Sequence, residues 1–181
     1  MKIIKDILYS EDGDRRKSLD VYLPNECEAT FIYFHGGGLK GGDKADIFFV
    51  KSLTEADIAV VSVNYSLYPN AIYPQFIRDA AAAVAYIYKN ADEINISNRI
   101  FVGGSSAGAY LSMMLCFDKK YLSVYGVNSD SIMGYIHDAG QVTAHYNVLR
   151  ERGIDSRSVI VDETAPLFYV TQNNNYPPML F

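Results

Sequence analysis

The sequence has no tryptophan, two cysteines and three histidines, and each scarcity removes a class of function. Cys27 and Cys116 stand alone, without the close spacing of a zinc or disulfide-exchange motif, and fit a reducing cytosol, where the chain is expected to reside. His35, His137 and His145 show no H-E-x-x-H or comparable pattern, so no metal and no cofactor is expected. Positive charge is scarce too. Sixteen Lys and Arg face 21 Asp and Glu, and the net charge of −5 argues against a nucleic-acid partner. The densest basic runs, Arg15-Arg16-Lys17 and Lys119-Lys120, sit beside Asp14 and Asp118 and read as solvated faces. Long apolar runs are missing at the N-terminus, where MKIIKDILYSEDGD lacks the core of a signal peptide. The uncharged stretch 100–117 reaches 18 residues but contains three glycines and three serines, which suits a buried strand and a packed helix better than a membrane span.

What is present fits one domain, 1–181, with a substantial core: 49% of residues are apolar and 20% charged. Residues 2–9 and 18–23 read as strands around the polar turn EDGDRRK. Residues 30–34, 58–63 and 99–102 are β-branched or aromatic runs of the kind buried on both sheet faces. Helices are expected at 44–56, at 76–93, where Ile77, Ala80, Ala81, Val84, Ile87 and Tyr88 share a face, at 107–117 and at 142–152. A weaker strand pattern covers 131–137. This alternation predicts an α/β fold with a mainly parallel sheet covered on both sides. There is no repeat, low-complexity tract or interdomain linker.

The stretch FIYFHGGGLKGGDK, residues 31–44, offers backbone N–H groups to an anion. Gly36, Gly38 and Gly41 match G-x-G-x-x-G, but the next strand ends in Val63-Asn64-Tyr65, with no carboxylate to hold a ribose. No Gly-Lys-Ser/Thr follows, which removes a phosphate loop. The second glycine-rich stretch, RIFVGGSSAGAYLS, places G-x-S-x-G at a strand-to-helix junction, where small neighbours let a serine occupy a sharp turn. Of the two adjacent serines only Ser106 has glycine at both −2 and +2, so Ser106 is the candidate nucleophile. The first stretch then reads as a cradle for the oxyanion formed when a serine attacks an ester carbonyl, with Gly37, Gly38 and Ala107 giving the N–H groups.

These motifs resemble the α/β-hydrolase superfamily, particularly the hormone-sensitive-lipase-like and small acetyl- and feruloyl-type esterases. The resemblance rests on HGGG at 35–38, NYSLYPNAIYPQ at 64–75, RDAAAAVAYI at 78–87 and GGSSAG at 103–108. It implies an α/β-hydrolase sandwich, a catalytic Ser106, an oxyanion hole of Gly37, Gly38 and Ala107, and a bracing rather than catalytic His35. It also implies small ester substrates with short-chain or sugar-linked acyl groups, a pocket-covering insertion at 139–176, and, as an outside alternative, a peptidase. Two positions depart from the pattern: Ser105 and Ser66 stand where many relatives carry Asp and Arg.

In this family an Asp or Glu and then a His follow the serine. His137, in a strand, and His145, in the expected helix, are the two histidines after Ser106, with Asp138, Asp155 and Asp162 the nearby acids, and their order does not suit a triad. Asp79 reads as a structural hydrogen-bonder, and Tyr65, Tyr68 and Tyr73 as packing residues with an acyl pocket as the other option. PPMLF at the end reads as the start of a strand, and the chain is expected to be truncated before the remaining triad members and the last strands and helices. The rival expectation is a catalytically silent domain whose open apolar sheet edge lets copies associate.

Overall fold

A computed structural model describes residues 1–170 and 175–181 of the chain. Its strands are β1 (Lys2–Leu8), β2 (Ser18–Leu23), β3 (Ala29–Phe34), β4 (Ile58–Val63), β5 (Ile100–Ser105), β6 (Gly134–Asp138) and β7 (Met179–Leu180). Its helices are α1 (Val50–Thr54), α2 (Gln75–Ile94), α3 (Ala107–Phe117), α4 (Lys120–Ser123) and α5 (Tyr146–Glu151), with short 3₁₀ turns at Ser129–Ser131 and Pro166–Tyr169. Residues 171–174 of the expected 139–176 insertion lie outside the described residues.

The strands form one sheet in the order β1-β2-β4-β3-β5-β6-β7. β2 runs antiparallel to β1 and β4, and every other neighbouring pair is parallel. This is the expected mainly parallel α/β sheet. Every residue of β3 is buried, as the unbroken run ATFIYF requires of a central strand. α3 is buried along its whole length, because it packs on the sheet with one side and on α2 with the other. α2 ends at Asn95, which takes the left-handed conformation (φ 65°) while the Ile96 N–H reaches back to Ala91 O at 2.9 Å.

Two expected helices are shorter in the structure. Of 44–56 only Val50–Thr54 is helical. Asp43 and Asp46 bind nearby backbone N–H groups, and Lys44 is drawn inward, its N–H on Asn64 Oδ1 at 2.7 Å and its Nζ on Asp20 Oδ1 at 2.5 Å. Local side-chain bonds compete with the helix there and win. Of 142–152 only Tyr146–Glu151 is helical, since the Gln141 amide donates to Ala144 O at 2.9 Å and accepts from Tyr146 N at 3.2 Å, closing a turn before the helix begins.

The sheet face opposite α3 carries Phe31, Phe101 and Ile136, which with Phe49, Leu53 and Ile58 line an apolar hollow of about 390 Å³. β7 forms the outer strand beside β6, and Met179 and Leu180 are exposed.

Candidate active site

Parallel pairing sets Phe34 beside Gly104, so the loops that follow β3 and β5 leave the same end of adjacent strands. Open α/β sheets place ligands at that end. The turn from β5 into α3 is tight enough to dictate its residues. A Cβ at Gly104 would come within 2.5 Å of the Gly108 carbonyl carbon, and one at Gly108 would collide with Phe34 O. Between them Ser106 adopts φ 53°, ψ −112°, a strained conformation for a residue with a side chain. Its backbone is strapped at both ends: its N–H donates to Asp138 O at 2.8 Å and its carbonyl accepts from Tyr110 N at 3.0 Å. The side chain is exposed, and Oγ has no hydrogen-bond partner among the described residues.

The glycine turn leans on this elbow. A Cβ built on Gly36 would stand 3.5 Å from Ser106 Cβ. The orientation of its amides follows from where its carbonyls go. Gly36 O is held by His35 Nδ1 at 2.7 Å, and Gly37 O accepts from Lys40 N and Gly41 N, both at 3.1 Å. In a trans peptide the following N–H points the opposite way, so the Gly37 and Gly38 N–H groups turn away from the loop's own interior. Neither they nor Ala107 N–H donate to any group among the described residues. Gly37 needs its φ of 111° to make this turn. Ala107 opens α3, so its N–H lies at the positive end of that helix.

Residues 139–170 fold back onto the turn. Asn147 Nδ2 donates to Gly38 O, and Tyr146 Oη lies where a side chain at Gly38 would have to go. The same segment is tied to the rest by Tyr110 Oη to Thr164 O at 2.7 Å, Tyr73 N to Glu151 Oε2 at 2.9 Å and Tyr73 Oη to Glu163 O at 2.8 Å. Neither Asn147 nor Tyr146 carries a sequence signal, because both lie far along the chain from their partners.

None of the three histidines is hydrogen-bonded to Ser106. His137, in β6, shares a 2.8 Å hydrogen bond with Ser112 Oγ, and its Nε2 is buried without a partner among the described residues. His145 is not inside a helix as expected. It is the N-cap of α5, its Nδ1 accepting from Asn147 N at 3.2 Å. Burial lowers both rings from 6.5 to about 4, which makes them weak bases at neutral pH. Of the nearby acids, Asp155 pairs with Arg157 at 2.8 Å and Asp162 with Arg152 at 2.7 Å.

The tyrosines divide. Tyr65 is buried and stacks on the His35 ring at 4.5 Å, a packing role. Tyr73 lines a cleft of about 410 Å³ with Arg78, Lys120, Tyr121, Tyr125 and Glu163, and no residue of the elbow or glycine turn reaches that cleft. Asp79 accepts from Ser66 N at 3.0 Å and from Gln75 Nε2 at 2.7 Å, the structural part expected of it. Arg16 is not the solvated residue expected. Its guanidinium binds Tyr65 O, Asp43, His35 and Gly42 O.

Among the described residues no helix is long and apolar enough to cross a membrane. Residues 19–131 match the BD-FAE family. The chain is 41% identical over 88 residues to an AB hydrolase superfamily protein of Schizosaccharomyces pombe, across 47% of this chain and 26% of that protein. It is 37% identical over 101 residues to the carboxylic ester hydrolase LipN of Mycobacterium tuberculosis, across 52% of this chain and 27% of that one. About a quarter of each curated relative is therefore covered. Among solved structures, a truncated form of a carbohydrate esterase from gut microbiota superposes with a TM-score of 0.79 at 22% identity, covering 99% of this chain and 75% of the other. That likeness establishes the α/β-hydrolase fold.

Proposed function

The chain belongs to the BD-FAE family, and from that membership and the geometry around Ser106 we propose that it is a serine carboxylesterase-type hydrolase. One observation carries the reading: an exposed serine, held in a strained turn, faces a glycine loop whose Gly37 and Gly38 amides have no partner among the described residues. In the reaction Ser106 Oγ bonds to the acyl carbon of an ester and gives its proton to a base. The carbonyl electrons move onto oxygen, where Gly37, Gly38 and Ala107 N–H groups stabilise the charge, each by about 3 kcal/mol. The electrons then re-form the carbonyl, the alcohol leaves with a proton, and water releases the acid from Ser106. Residues 139–170 cover this site. Short-chain or sugar-linked acyl esters are the proposed substrates, in keeping with the carboxylic ester hydrolase and carbohydrate esterase names among the similar proteins.

A second reading has its own support. None of the three histidines of this chain is hydrogen-bonded to Ser106 and two are weak bases, which favours a domain that holds the ester-binding geometry without turning substrate over. Hydrolysis of p-nitrophenyl acetate by the chain and by Ser106→Ala separates the readings. The esterase reading expects a rate that the substitution abolishes. The silent reading expects both proteins to match the buffer blank.

A further inference from the structure

Arg16 sits in the turn between β1 and β2 and plays no part in the mechanism above, yet four of the five N–H donors of its guanidinium are engaged. Nε donates to Tyr65 O at 3.1 Å, Nη1 to Asp43 Oδ2 at 3.1 Å, and Nη2 to both Gly42 O at 2.6 Å and His35 Nε2 at 3.2 Å. A guanidinium only donates, so the ring nitrogen facing it must offer a lone pair. The proton of the neutral imidazole is then on Nδ1, the nitrogen 2.7 Å from Gly36 O. A protonated Nδ1 donates to that carbonyl; a bare one would repel it. We propose that Arg16 is a positioning residue: it selects the Nδ1–H tautomer of His35, which grips the Gly36 carbonyl and so aims the Gly37 N–H at the space before Ser106.

The surroundings favour the neutral ring. His35 is buried, stacks on Tyr65 at 4.5 Å with rings 16° apart, and its own carbonyl is held by Tyr65 Oη at 2.8 Å. Burial first, and the Arg16 charge after it, hold the imidazole below its ordinary value, against the hydrogen bond to the Gly36 carbonyl and the charges of Asp43 and Asp46. Two links are hydrogen bonds, arginine to imidazole and imidazole to carbonyl, and the third is the trans peptide plane, which sets the next amide opposite that carbonyl. The link to catalysis rests on the reading of Gly37 as an oxyanion donor; the tautomer does not.

Nuclear magnetic resonance on the ¹⁵N-labelled chain at neutral pH tests this without requiring hydrolysis. The expected result is a His35 ring with a pyrrole-type Nδ1 and a pyridine-type Nε2; the opposite pattern overturns the proposal. Arg16→Met is expected to raise the pH at which His35 titrates and to lower the Gly37 amide order parameter from about 0.85 to below about 0.6. Arg15→Met, which removes the same charge one residue away, is expected to do neither. A Gly37 amide unmoved by Arg16→Met overturns the relay. Where Ser106-dependent hydrolysis is present, Arg16→Met is expected to lower kcat about tenfold with KM unchanged, and an unchanged kcat removes the link to catalysis. Absence of hydrolysis in the unsubstituted chain counts against the esterase reading and leaves the tautomer result to decide the relay.

Discussion

Asn147 donates its side-chain amide to the carbonyl of Gly38, joining residues 109 positions apart at the turn that faces Ser106. The contact is buried, so removing the donor strands a carbonyl away from water. Asn147→Ala is expected to cost about 1–3 kcal/mol of stability. Asn147→Asp is expected to cost more, because it places an acceptor against an acceptor. Urea unfolding of the three proteins checks the order, and equal midpoints would show that the contact contributes nothing.

Gly108 and Gly126 provide a contrast between steric collision and backbone strain. A Cβ at Gly108 has no room, because Phe34 O occupies its place; a Cβ at Gly126 meets nothing within 4 Å, although φ is +76°. Gly108→Ala is expected to lose more than about 4 kcal/mol and to fail to fold under ordinary conditions. Gly126→Ala is expected to lose only about 1 kcal/mol. Thermal denaturation separates them, and a well-folded Gly108→Ala protein would contradict the described elbow.

Acid is expected to unfold the protein earlier than its carboxylates alone would require. His137 and His145 titrate near 4 when folded and near 6.5 when unfolded. Between those values the unfolded chain binds more protons, so stability falls as pH drops through the window and is unaffected above it. On the order of 3 kcal/mol is at stake for each ring. Urea midpoints at pH 7 and pH 5 measure the loss, which His137→Leu should reduce while leaving an apolar side chain among Tyr135, Phe117 and Phe181. An identical pH dependence in that variant would remove His137 from the account.

The sheet was legible where burial is continuous and local. The runs ATFIYF and IAVVSV have only one way to satisfy their side chains, and helix 107–117 is bounded by the glycine elbow on one side and Asp118 on the other. The reading failed where a residue's partner is distant. Lys44 looks like a helix former until Asp20 draws it into the protein, and Arg16 looks solvated until the chain brings His35 and Gly42 to it. The two glycine motifs could be read because each carries its geometry within a few residues. The contacts of Asn147 and Tyr146 with Gly38 could not, since only the docking of residues 139–170 creates them.

The central claim is that Ser106 Oγ is the acyl acceptor, and trapping tests it most directly. The chain is incubated with p-nitrophenyl acetate, quenched in acid, digested and mapped by mass spectrometry beside Ser106→Ala. The account predicts one acetyl group, on the peptide carrying Ser106, and none on the corresponding peptide of the variant. Acetylation confined to Ser105 or to lysines, at equal levels in both proteins, would contradict it.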